Sequence, residues 1–128
     1  MIYLDSSVAL ARILVENRQP PPSLWQEPLI SSRLLEYEVW VRLNARNLYG
    51  SHGKLAHALI NRITFIELRP EVLERALEPF PVQVRTLDAL HLASIVFLLG
   101  RGQTVELASY DDRLLSAARA LGVQPAAI

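Results

Sequence analysis

Short runs of strand type alternate with helix-patterned segments along nearly the whole chain, and few architectures accommodate that alternation. Met1 to Leu4 is charge-free and apolar, a buried-type strand, and Leu29-Ile30 reads as a second. Thr64 to Leu68 is β-branched and aromatic, Val105 to Ala108 is strand-like, and Val123 begins a last short strand. Helical spacing runs from Ser6 to Leu14, then from a cap at Ser32 or Ser31 to about Tyr49. Gly50-Ser51-His52-Gly53 is expected to break that helix, and Leu55 to Arg62 to form the next. Pro70 suits the first turn of a helix reaching Leu77. Thr86 can cap the apolar helix Leu87 to Leu99, and Gly122 closes a final helix, Arg113 to Leu121. Gln19 to Ser23 holds three successive prolines and reads as loop. Strands alternating with helices favour parallel pairing. The expectation is an α/β fold with a short, mostly parallel central sheet of four to five strands and helices on both faces. One domain spans residues 1–128.

Composition narrows the function classes. With 51% apolar residues the chain can build a core, and without cysteine it has no disulfide, thiolate metal site or thiol nucleophile. The apolar run Ala89 to Leu99 is too short to span a bilayer and contains His91; the opening run lacks the basic flank of a signal peptide. A cytoplasmic protein is expected. Thirteen basic and thirteen acidic residues cancel, so no basic excess marks a non-specific nucleic-acid clamp. A nuclease stays compatible, because a metal ion can supply the positive charge a phosphate needs.

Four acids stand out by position. Asp5 ends the first strand, Asp111 follows the Val105–Ala108 strand, and ligands of parallel sheets bind beyond such strand ends. Either aspartate could also cap the helix behind it. Asp88 shares a helical stripe with Leu92, Ile95 and Leu99, a face that is expected to be buried, where an unpaired carboxylate is costly. Glu38 could pair with Arg42 at the surface, but Leu34, Val41 and Ala45 flank it and suggest partial burial. Glu36, beside Arg33, and Asp112 read as solvent-side neighbours. Converging carboxylates repel one another and call for a cation, and oxygen-only ligands select Mg²⁺ or Mn²⁺. Such a site suits phosphoryl transfer, with a spare carboxylate orienting the attacking water. No glycine-rich nucleotide-binding motif is present.

The same residues resemble the PIN-domain family. Ile2-Tyr3-Leu4-Asp5-Ser6-Ser7 is similar to the family's opening strand and aspartate. Ser32 to Val39 resembles its S-x-L-x-x-x-E segment, with the glutamate at Glu38. Arg85-Thr86-Leu87-Asp88-Ala89-Leu90-His91-Leu92-Ala93 is similar to its R-x-x-D-A-x-H-x-A block. Ser109-Tyr110-Asp111-Asp112-Arg113-Leu114 resembles its last acidic segment, with serine for threonine. The four blocks keep the family's order from Ile2 to about Val123, and the size most resembles VapC toxins of toxin–antitoxin pairs.

That resemblance implies a PIN-like three-layer fold and a Mg²⁺- or Mn²⁺-dependent endoribonuclease acting on RNA, commonly a tRNA or ribosomal RNA. Asp5, Glu38, Asp88 and Asp111 would be its catalytic metal-site residues. Ser7, in preference to Ser6, would hold a carboxylate or a water of the metal shell, and Thr86 would help position Asp88. Asp112 is the alternative fourth acid. His91 is read as a packed core residue. The resemblance also implies a homodimer held inactive by a VapB-like antitoxin, which would cover the apolar face carrying Tyr37, Trp40 and Tyr49. The competing functions are a non-catalytic RNA- or protein-binding module and a structure-specific DNA nuclease.

Overall fold

The computed structural model describes all 128 residues. Five strands, β1 (Ile2–Leu4), β2 (Leu29–Ser32), β3 (Ile63–Ile66), β4 (Glu106–Ala108) and β5 (Gln124–Pro125), form one sheet in the order β3-β2-β1-β4-β5. Every pairing is parallel, so the mostly parallel sheet expected from sequence contains no antiparallel strand. Six helices cross between strands: α1 (Ser6–Ile13), α2 (Leu34–Ala45), α3 (Tyr49–Ile60), α4 (Pro70–Ala76), α5 (Thr86–Gly100) and α6 (Asp112–Ala120).

Strand alternation divides the core in two. Ile2, Leu4, Leu29 and Ile63 point to the layer of α1, α2 and α3, where they meet Val8, Ile13, Leu35, Val39 and Leu43. Tyr3, Ile30, Ile66 and Leu107 point the other way, to Val72, Leu92, Ile95 and Leu114 of α4, α5 and α6. Side chains buried as completely as Leu92 and Ile95 contribute about 1.5–3 kcal/mol each. The result is a three-layer α/β arrangement with β1 at its centre. Chain order runs outward from β1 through β2 to β3 on one side and through β4 to β5 on the other. The crevice beyond the ends of β1 and β4 is therefore the topological switch point.

Local boundaries depart from expectation in places. Gly50 to Gly53 does not break a helix. The break falls earlier, at Arg46 to Leu48, where Asn47 adopts φ 56°, and α3 runs through both glycines. A side chain on Gly53 would come only into ordinary contact with the Trp40 ring, so nothing obliges the backbone to stop there. Tyr49 thus opens α3 instead of ending α2. Thr86 does not cap α5; the helix begins with it and Arg85 takes the cap position without a side-chain bond. Ser32 lies in β2, yet its Oγ accepts Leu34 N–H at 3.1 Å and so takes one free donor of α2. Ser31 instead donates to Leu4 O, tying β2 to β1. The proline stretch enters a 3₁₀ turn at Pro22, where proline's fixed φ suits a first helical residue.

Candidate active site

The crevice above β1 and β4 opens into a cleft of about 700 Å³ whose wall includes Asp5, Glu38, Asp88 and Asp111. All four sequence-selected acids therefore meet in one place, delivered by four separate elements. Asp5 follows β1, Glu38 projects from the second turn of α2, Asp88 from the first turn of α5, and Asp111 leaves the loop after β4.

Asp5 is held most firmly and is 6% exposed. Its Oδ2 accepts Ser7 Oγ–H at 2.6 Å and Ser109 Oγ–H at 2.8 Å, while Oδ1 takes no hydrogen bond. Ser7 Oγ in turn accepts Tyr110 N–H, and Ser109 Oγ accepts Asp111 N–H, both at 2.9 Å. The two serines thus lock the loop after β4 to the loop after β1. Ser7 does hold a carboxylate; Ser6 lines the cleft without a side-chain bond to any acid. The helix caps foreseen at Asp5 and Asp111 are also real. Asp5 accepts Ser7 N–H, and Asp111 Oδ1 accepts Arg113 and Leu114 N–H.

Asp88 lies on a buried face, as its stripe predicted: Leu92 and Ile95 are fully buried beside it. Thr86 makes no hydrogen bond to it. Arg85 does, with Nε 3.2 Å from Asp88 Oδ2 and Nη2 3.2 Å from Asp111 Oδ2. Asp112 is exposed and outside the four-acid cleft, which separates it from its neighbour Asp111. Glu36 pairs with Arg33 at 2.8 Å away from the cleft. Arg33 also binds Glu67, which holds that carboxylate below its ordinary range.

Glu38 does not pair with Arg42. Its Oε1 lies 2.7 Å from His91 Nε2, and His91 Nδ1 lies 2.9 Å from the Tyr3 hydroxyl. Val41 is 66% exposed, so Glu38's partial burial comes from the His91 side and not from the flanking apolar residues. The Tyr3 oxygen accepts Ser32 N–H at 3.2 Å. With His91 neutral, Tyr3 donates to Nδ1 and leaves the Nε2 proton for Glu38. With His91 charged, Nδ1–H donates to Tyr3, whose own proton can turn to His91 O at 3.4 Å. Burial opposes charge on His91, but the bond to Glu38 and the nearby Asp5 and Asp88 outweigh it, and its pKa lies above the usual imidazole value. Burial raises the Tyr3 phenol as well. His91 is a core residue, as read from sequence, and it also orients a cleft acid.

The donors suit a hard cation: carboxylate oxygens, no sulfur, and one oxygen of the fixed Asp5 carboxylate with no protein partner. No three of the acid and histidine side chains stand close enough to cage an ion by themselves. Sequence reasoning missed Arg85 as a cleft cation, although a basic residue three positions before Asp88, just ahead of the helix start, was a usable signal. Arg18 and Arg42, also in the cleft wall, carried no signal of their own.

A parallel sheet between two helix layers, with four acids in the crevice above its central strand, defines a domain of PIN type. No family model matches the chain, and no solved structure does. Among curated proteins it is 34% identical over 131 residues to Ribonuclease VapC46 of Mycobacterium tuberculosis (strain ATCC 25618 / H37Rv), covering 95% of this chain and 93% of that protein. Ribonuclease VapC47 of M. tuberculosis (strain CDC 1551 / Oshkosh) is 29% identical over the same share of both chains. The chain belongs to the VapC family of PIN-type toxins.

Proposed function

We propose that this protein is a Mg²⁺- or Mn²⁺-dependent endoribonuclease, the toxin of a VapBC-type pair, cutting a structured RNA such as a tRNA or ribosomal RNA. The observation that carries the reading is the convergence of Asp5, Glu38, Asp88 and Asp111 in one cleft whose wall also includes the exposed Arg18, Arg42 and Arg85. Acids deep in a cleft suit the cation, and arginines near its mouth suit phosphates. Asp5, Asp88, Asp111 and Glu38 would hold the ion, directly or through its waters, since no three of them stand close enough to bind it together; when bound it supplies Lewis-acid charge at the phosphate and lowers the pKa of a water. Glu38 is suited to orient the attacking water: His91 fixes Oε1 and leaves Oε2 without a bond to the protein. Ser7 and Ser109 keep Asp5 from rotating, so that its free oxygen faces the cleft. The water's oxygen adds to phosphorus as its proton passes to Glu38, and the RNA's P–O bond breaks, the leaving ribose oxygen taking up a proton.

A cognate VapB-like antitoxin would hold the enzyme inactive by covering this cleft. Tyr37 and Val41 on α2 and Tyr49 on α3 leave more than half their surface exposed, apolar area that a partner chain reaching the cleft along α2 would shield. A homodimer belongs to the same reading. No helix is long and apolar enough to cross a membrane.

Purified protein is to be offered a small-RNA pool and, separately, flap DNA, with Mg²⁺ or Mn²⁺ and with EDTA, beside Asp88→Asn. Metal-dependent RNA cutting that Asp88→Asn abolishes, in a variant with wild-type circular dichroism, is the expected result. Cutting that survives EDTA or Asp88→Asn would refute the mechanism, and cutting of flap DNA alone would refute the substrate.

A further inference from the structure

The side chain of Arg85 is 60% exposed and has open water in which to lie, yet it reaches inward between two carboxylates. Nε faces Asp88 Oδ2 and Nη2 faces Asp111 Oδ2, each at 3.2 Å. Those acids belong to different elements, α5 and the loop after β4, and Arg85 is the one basic side chain that salt-bridges either of them. Asp88 is only 12% exposed at its side chain, so its charge needs a nearby counter-charge whenever no other cation is present. The guanidinium thus engages one oxygen on each of two acids that the proposed function assigns to the ion.

Two cations cannot share those oxygens at contact distance. Resting on the nuclease reading above, we propose that Arg85 is a built-in counter-cation that the divalent ion displaces, and that the freed guanidinium then binds a phosphate of the RNA. The backbone allows this exchange. Arg85 precedes the first residue of α5 in extended conformation, φ −83° and ψ 165°, so its side chain is not packed into the helix. The guanidinium fork that now bridges two carboxylates matches a phosphate equally well. Arg85 thereby keeps the acids paired when no ion is present and becomes a positioning group for substrate when one is.

The two roles predict opposite effects of one substitution. In calorimetric titrations with Mn²⁺, Arg85→Gln is expected to bind the ion about tenfold more tightly than wild type, as for removing one positive charge close by in a solvated cleft. Arg85→Lys, which keeps the charge but cannot span both acids, is expected to fall between them. The difference should shrink as salt is added. At saturating Mn²⁺, the KM of Arg85→Gln for a fluorescent oligoribonucleotide is expected to rise several-fold, more than kcat falls. Equal or weaker Mn²⁺ binding by folded Arg85→Gln, with wild type binding normally, would overturn the competition. Tighter Mn²⁺ binding with an unchanged KM would overturn the transfer to substrate. If wild type binds no Mn²⁺ at all, the metal reading fails and this inference falls with it.

Discussion

Tyr3→Phe removes one oxygen atom from the interior and changes almost nothing else, which makes it a sharp probe of what holds Glu38 in place. Tyr3 is fully buried, and its hydroxyl serves both Ser32 N–H and His91 Nδ1. In the phenylalanine variant Nδ1 loses its partner in either protonation state. Shifting the imidazole proton to Nδ1 gives no relief, because an unprotonated Nε2 would then face the Glu38 carboxylate at 2.7 Å. An orphaned buried polar group costs about 1–3 kcal/mol, so two affected groups imply a loss of about 2–6 kcal/mol. For a domain of this size that corresponds to a fall of about 7–22 °C in Tm. Urea unfolding of wild type and Tyr3→Phe measures the loss directly. Tyr37→Phe is the control, since the residue is 62% exposed and its hydroxyl makes no bond to the protein; it should shift stability by less than about 0.5 kcal/mol. A Tyr3→Phe loss below about 1 kcal/mol would show that the Tyr3–His91–Glu38 chain does not restrain the site.

The His91–Glu38 bond should also appear in the pH dependence of stability. Since the folded pKa of His91 lies above its ordinary value, its contribution is fully present below about pH 6.5 and is lost as pH rises through the raised value. Measured in EDTA, the Tm gap between wild type and His91→Gln should be widest in mild acid and narrow upward; a gap that widens with pH would contradict the assignment. Val15 offers an unrelated test at the end of α1. It is 75% exposed with φ 52°, a left-handed conformation that a β-branched residue adopts only under strain. Val15→Asn should therefore stabilise the protein by about 1 kcal/mol in urea unfolding, and a destabilised variant would refute the strain.

The residues that sequence reading found and those it missed differ in what they depend on. Asp5 and Asp111 were legible because a strand end followed by a helix start is a local pattern, and the parallel sheet then brings two such ends together. Asp88 was legible because an acid on an apolar helical stripe is expensive, whatever surrounds it. The α2–α3 boundary was misjudged because glycines draw attention as breakers, while Asn47 turned the chain with a left-handed conformation that asparagine also tolerates. The link from Tyr3 to His91 spans 88 positions and that from Glu38 to His91 spans 53, separations at which no local pattern reports contact. His91 looked like core because it is core; only the packing of α5 over β1 and beside α2 turns its second nitrogen toward the cleft.

The placement of the serines indicates how such a site tolerates being built largely from ordinary structural parts. Asp5 and Asp111 each cap a helix, and a cap needs only one carboxylate oxygen. The other oxygen is then oriented without further machinery: Asp5 Oδ1 is left free and Asp111 Oδ2 meets Arg85. Capping and the cation binding proposed above are therefore not rival roles for these two acids. The cap fixes each rotamer, Ser7 and Ser109 further brace that of Asp5, and the fixed rotamers present the remaining oxygens to the crevice where β1 and β4 end. An asparagine at either position could keep most of the cap, because its side-chain oxygen accepts the same N–H groups, but would lose the charge. In the proposed nuclease, fold and chemistry are separable at these residues, although a single side chain serves both.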